Sequence, residues 1–150
     1  MDQLTALQQT TDGRYILGGI SFSAANGDKS QASQGESDYW IVKIDANGVK
    51  QWDARFGGTL FEELFSIRQS VDGGYIMGGY SLSDVGGDKT NAARGRFDYW
   101  VVKTNANGIK QWDATFGGTE DDWLSQLMQT TDGGYILGGW SWSGKSGDKS

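Results

Sequence analysis

The sequence predicts an all-β fold made of a four-stranded unit that recurs every sixty residues. Three observations carry this. First, blocks return at a fixed offset: Tyr15-Ile16-Leu17-Gly18-Gly19 as Tyr75-Ile76-Met77-Gly78-Gly79 and Tyr135-Ile136-Leu137-Gly138-Gly139, and Asp38-Tyr39-Trp40 as Asp98-Tyr99-Trp100. Second, Asp-Gly and Asn-Gly pairs punctuate short runs rich in aromatic and branched residues, which is strand and hairpin chemistry. Third, no segment holds a helical period between caps. A repeat of this length marks a solenoid, propeller or array. Residues 1–60 and 61–120 are full units, and 121–150 is the first half of a third.

Each unit reads as four strands. Strand A is predicted over 4–10, 64–70 and 124–130, and strand B over 15–23, 75–83 and 135–143. Strand C is predicted over 39–44 and 99–104, and strand D over 50–56 and 110–116. Asp12-Gly13, Asp72-Gly73 and Asp132-Gly133 join A to B, while Asn47-Gly48 and Asn107-Gly108 join C to D. Asn-Gly accepts positive φ at both central positions, so type I′ hairpins are expected. The longer B–C connection closes a sheet of four, and the D–A connection through Phe56-Gly57-Gly58-Thr59 crosses to the next unit.

Strands B and C are apolar on both faces. A half-buried sheet would alternate apolar with polar, so these runs predict sheets covered on both sides, as in a propeller blade. Gly18 and Gly19 carry no side chain in mid-strand and would let an adjacent sheet approach closely. The fold class expected is therefore a β-propeller of four-stranded antiparallel blades of about sixty residues, two and a half per chain. A β-solenoid is the alternative. An incomplete ring leaves open apolar faces and an unpaired strand B, which is an aggregation hazard unless covered. This predicts a homo-oligomer, with the chain itself as partner, or a piece of a longer or engineered protein.

Composition narrows the chemistry. The chain has seven Trp, six Tyr, six Phe and 24 Gly, and no Pro, Cys or His. Without His or Cys, the usual general base and the thiol nucleophile are missing. No catalytic residue, enzyme activity or cofactor is expected. A formal net charge of −6 argues against nucleic acid, because affinity for it rests on Lys and Arg neutralising phosphate. No apolar run is long enough to span a membrane as a helix. Met1-Asp2-Gln3-Leu4 carries no basic and apolar signal segment, which fits a chain cytosolic as made or an excised piece.

The repeated tryptophans fit packing between blades better than sugar stacking. Trp40, Trp52, Trp100 and Trp112, with Tyr15, Tyr75 and Tyr135, are the expected inter-blade residues. Leu4, Leu7, Trp123, Trp140 and Trp142 are the expected assembly surface, since Trp140 and Trp142 stand where the earlier units have Ile20, Phe22, Tyr80 and Leu82. Asp28, Asp38, Asp88 and Asp98 in the B–C loops are weak calcium candidates. Turn capping, or pairing with Lys29 and Lys89, explains them without a metal, so none is expected. Glu62-Glu63 and Glu120-Asp121-Asp122 are adjacent carboxylates in a turn, not a pair set across a cleft. Gly57-Gly58-Thr59 has no Lys and no following helix, so it is no phosphate loop.

The run from Asp38-Tyr39-Trp40 through Asn47-Gly48, Trp52, Phe56-Gly57-Gly58-Thr59 and Asp72-Gly73-Gly74-Tyr75 resembles bacterial β-propeller repeats of the SBBP and delta-60 types, and repeat proteins of Bacteroidetes cell surfaces. Ile44-Asp45-Ala46-Asn47-Gly48 with Trp52 is also similar to quinoprotein propeller blades, whose catalytic residues have no match here. The resemblance spans the chain and implies a propeller. It further implies an extracellular or cell-surface location, and allows a glycan or protein ligand on the B–C loops.

Overall fold

The computed structural model describes residues 1–150. It contains ten β-strands and no helix: β1 (Asp2–Gln9), β2 (Tyr15–Ser21), β3 (Asp38–Ile44), β4 (Lys50–Phe56), β5 (Glu62–Gln69), β6 (Tyr75–Ser81), β7 (Asp98–Thr104), β8 (Lys110–Phe116), β9 (Asp122–Gln129) and β10 (Tyr135–Ser141). They form three antiparallel sheets in the order β1-β2-β3-β4, β5-β6-β7-β8 and β9-β10. No sheet closes on itself. Strand B stops at Ser21 and Ser81, two residues short of the predicted end. There the serine hydroxyls turn to polar work: Ser21 donates to Asp2 at 2.5 Å and Ser81 to Glu62 at 2.7 Å.

The hairpins differ from the type I′ expectation. No residue other than glycine has positive φ. In the β3–β4 turn the Gly48 N–H donates to the Asp45 carbonyl at 3.1 Å, and the Asp45 N–H donates to Val49 at 2.9 Å. Gly48 alone takes φ +82°. This is a type I turn followed by a left-handed glycine, the three-residue hairpin. The reason lies two residues before Asn47. The Asp45 carboxylate accepts from the Asn47 and Val49 N–H groups, each at 2.9 Å, which holds Asn47 at negative φ. Gly13, Gly73 and Gly133 repeat the backbone arrangement, but there the Asp sits immediately before the glycine, and Asp12, Asp72 and Asp132 accept from the N–H groups of Arg14, Gly74 and Gly134.

The sheets stack face to face. Ile16, Tyr39, Ile41 and Phe56 of the first sheet bury against Leu64, Ile67, Tyr75, Met77, Trp100 and Val102 of the second. Ile76 and Val101 of the second bury against Leu124 and Leu127 of the third. The mid-strand glycines set the spacing. A Cβ on Gly18 would stand 2.8 Å from Leu64 Cδ2, and one on Gly78 would stand 2.7 Å from Leu127 Cδ2. A leucine from strand A of each sheet therefore enters a slot left by the glycine before it, contributing about 1.5–3 kcal/mol per buried side chain. Opposite that glycine pair, β1 and β5 each carry a bulge, between Leu4 and Ala6 and between Leu64 and Ser66.

Candidate functional site

The chain's distinctive chemistry lies at the two junctions between sheets. At the first, Trp52 of β4 meets Tyr75 edge-on at 5.8 Å and covers Gly108. Trp100 packs on Tyr39 at 4.9 Å, and the Tyr39 hydroxyl donates to the Trp100 carbonyl at 2.9 Å. At the second junction Trp112 meets Tyr135 at 6.0 Å. Trp40 and Tyr15, the first-unit equivalents of Trp100 and Tyr75, are only half buried. Trp40 borders an open cleft of 380 Å³ with Leu4, Leu17, Val42, Ile44 and Gly48. Both indoles of strand C are anchored alike: Trp40 donates to Asp53 at 3.1 Å and Trp100 to Asp113 at 3.0 Å. Burial pushes those two carboxyls up, but hydrogen bonds from Lys50 and Ser30, or Lys110 and Thr90, outweigh it and hold them below the usual range.

The B–C loops build a polar corner at each junction. Asp38 accepts from the Gln34 N–H at 2.6 Å, and Asp98 from the Arg94 N–H at 2.7 Å, so both cap turns. The expected pairing of Asp38 and Asp88 with lysine is replaced by an arginine that sequence reading missed. Arg55 Nη1 donates to Asp88 at 2.8 Å, and its Nε lies 3.7 Å from Asp38. Lys29 instead is buried and donates to Ser21, the Ser23 carbonyl and Ser33 at 2.7–2.8 Å. Burial depresses Lys29 and Lys89 and raises Asp38, Glu62 and Asp98. Asp28 stays exposed, apart from these corners; its carbonyl accepts from Lys50.

The second corner departs from the first. Thr115 stands where the first has Arg55, and Arg94 where it has Gln34. Arg94 pairs with Asp148 from the loop side. No three carboxylates, His or Cys converge as a metal-ligating group.

An aromatic cluster also sets the second junction apart. Tyr80 packs on Phe65, Phe97 and Trp123 at 5.6, 5.0 and 5.8 Å, and Trp123 stacks on Trp142 at 6.2 Å. Trp140 borders a 210 Å³ cleft beside them. The same positions at the first junction hold Ile20, Thr5, Ser37, Glu63 and Leu82. The repeat therefore packs without these rings. Trp140 and Trp142 themselves are largely exposed, as are Leu4 and Leu7.

Fold and junctions define an all-β repeat protein of stacked antiparallel sheets. No protein-family model matches the chain. Over 100 residues, 64% of its length, it is 28% identical to "Regulatory protein FlaEY" of Caulobacter vibrioides (strain ATCC 19089 / CIP 103742 / CB 15). The chain spans about a tenth of that protein's length.

Proposed function

We propose that this chain is a non-enzymatic β-propeller scaffold that self-associates through its two open sheet faces to complete a closed ring. One observation carries the reading. Leu64 and Ile67, then Leu124 and Leu127, are at most 3% exposed, because each pair lies on the sheet before it; the equivalent Leu4 and Leu7 are 56% and 59% exposed. The other end mirrors this: Ile16 and Ile76 are fully buried, and Ile136 is 56% exposed. Nothing stands within 4 Å of a Cβ on Gly138, the slot that Leu64 and Leu127 fill at Gly18 and Gly78. A second copy brings Leu4 and Leu7 to that slot, repeating the internal junction as a head-to-tail contact that closes if the rotation per unit allows.

Light scattering on the purified chain tests it. At micromolar concentration the expected mass is a multiple of 16.3 kDa, and Leu4→Asp with Leu7→Asp reduces it to one chain while the far-UV spectrum is kept. A single-chain mass for the parent with a cooperative melt sinks the reading.

The aromatic cluster of the second junction favours a second reading, a glycan-binding module. Exposed indoles stack on sugar rings, and the first junction shows that the fold does not need them there. On a glycan array, binding is expected to fall at least about tenfold on Trp123→Ala with Trp142→Ala, a loss of some 1.4 kcal/mol. An array with no signal above background removes this reading.

A further inference from the structure

We propose that the corner between β8 and β9 is a binding site for a hard divalent cation of the calcium class, held by Asp98 Oδ1, Asp122 and the Thr115 hydroxyl. The argument rests on geometry and on the chain's own internal control.

Three buried side-chain polar atoms in the whole chain lack a hydrogen-bond partner: Arg55 Nε at the first corner, and Asp98 Oδ1 and Thr115 Oγ1 on neighbouring strands here, Thr115 pairing with Trp100 two residues along from Asp98. Asp98 is fully buried and Thr115 is 5% exposed. Such groups are costly to leave unpaired, and a conspicuous pair of them calls for a bound species. The Asp98 Oδ2 atom takes the loop N–H groups of Arg94 and Gly95, which leaves Oδ1 free. That oxygen and Asp122 Oδ2 both face Gly117, where a built Cβ would stand 2.1 Å from the first and 2.9 Å from the second; Asp122 Oδ2 also accepts from the Gly118 N–H and the Ser143 hydroxyl. At the first junction Gly57 stands against Asp38 in the same way, and Glu62 takes the place of Asp122, accepting from the Gly58 N–H at 2.7 Å.

The first corner shows what normally fills the space. Arg55 extends from the position of Thr115 and puts its guanidinium between Asp38 and Asp88. Thr115 is too short to do so. Arg94 neutralises Asp148 from outside but makes only backbone contact with Asp98. The second corner thus keeps the acids, loses the inserted cation and gains an oxygen donor in its place. Two carboxylates and a hydroxyl suit a cation that takes roughly six to eight oxygen ligands, with water completing the shell. The donor set contains no nitrogen or sulfur, which disfavours zinc or copper.

The test uses terbium as the probe, because Trp100 lies directly opposite Thr115 in the β7–β8 ladder and serves as the antenna. Excitation of tryptophan is expected to give saturable terbium luminescence of one ion per chain, displaced by calcium. Thr115→Arg copies the first corner. It is expected to weaken terbium binding by about tenfold or more while the melting temperature in EDTA stays at or above the parent's. Asp98→Asn is expected to weaken binding without unfolding, since the amide oxygen still accepts from Arg94 and Gly95. No calcium-displaceable signal in the parent, or parent-like binding by Thr115→Arg, overturns the proposal. The second outcome would place the ion on the exposed Glu120 and Asp121 instead.

Discussion

Trp100→Ala is expected to remove a large part of the chain's folding stability, and Trp40→Ala, its repeat equivalent, far less. Trp100 is fully buried between the first two sheets, with its ring 4.9 Å from that of Tyr39. Deleting such a ring costs about 3–5 kcal/mol through lost transfer energy and the cavity left behind. The variant also leaves Asp113 without its indole donor, although Lys110 and Thr90 still hold that carboxylate. The Tyr39 hydroxyl keeps its acceptor, because it bonds the backbone carbonyl of residue 100. Against a typical stability of about 5–15 kcal/mol, this is a loss on the order of ten degrees in Tm. Trp40 makes the same hydrogen bond to Asp53 but stands on the open face of the first sheet. Thermal melts followed by circular dichroism, at a dilution where light scattering reports single chains, separate the two. Equal losses would mean that burial against the neighbouring sheet is not what Trp100 supplies.

The repeat made most of the architecture legible in advance. Asp-Gly and Asn-Gly pairs between aromatic runs located every strand, and the longer B–C and D–A links were assigned their roles correctly, closing and crossing respectively. Two things were not legible. The turn type depends on a carboxylate outside the Asn-Gly pair: Asp45 binds two N–H groups and pins Asn47, a contact that dipeptide preference does not contain. The corner chemistry depends on residues sixty apart that differ, Arg55 against Thr115 and Gln34 against Arg94. Attention to what recurs passes over them. A signal was present nonetheless: a position facing constant acids that changes from a long cation to a short hydroxyl marks a change in what neutralises them.

Valine placed at the three equivalent glycines is expected to give two opposite outcomes. At Gly78 the added atoms collide with Leu127 and Leu124, whose methyl carbons already stand 2.7 to 3.3 Å from a Cβ. Gly18 meets Leu64 and Ile67 in the same way. Both slots lie between packed sheets, where the leucines cannot retreat without opening the junction, so each substitution costs about 1–3 kcal/mol or more by over-packing. At Gly138 a Cβ meets nothing within 4 Å. Gly138→Val is therefore expected to leave a single chain's melting temperature unchanged, or to raise it slightly as a branched residue replaces glycine in a strand. In the assembled form the same valine fills the slot that the partner copy's Leu4 needs. The mass should fall to one chain in light scattering although the fold is intact. This pairs a loss of stability at positions 18 and 78 with a loss of association at 138. A Gly138→Val chain that assembles as the parent does would show that the third sheet's open face is not the head-to-tail contact. A Gly78→Val chain that melts with the parent would show that the glycine slot does not set the distance between sheets.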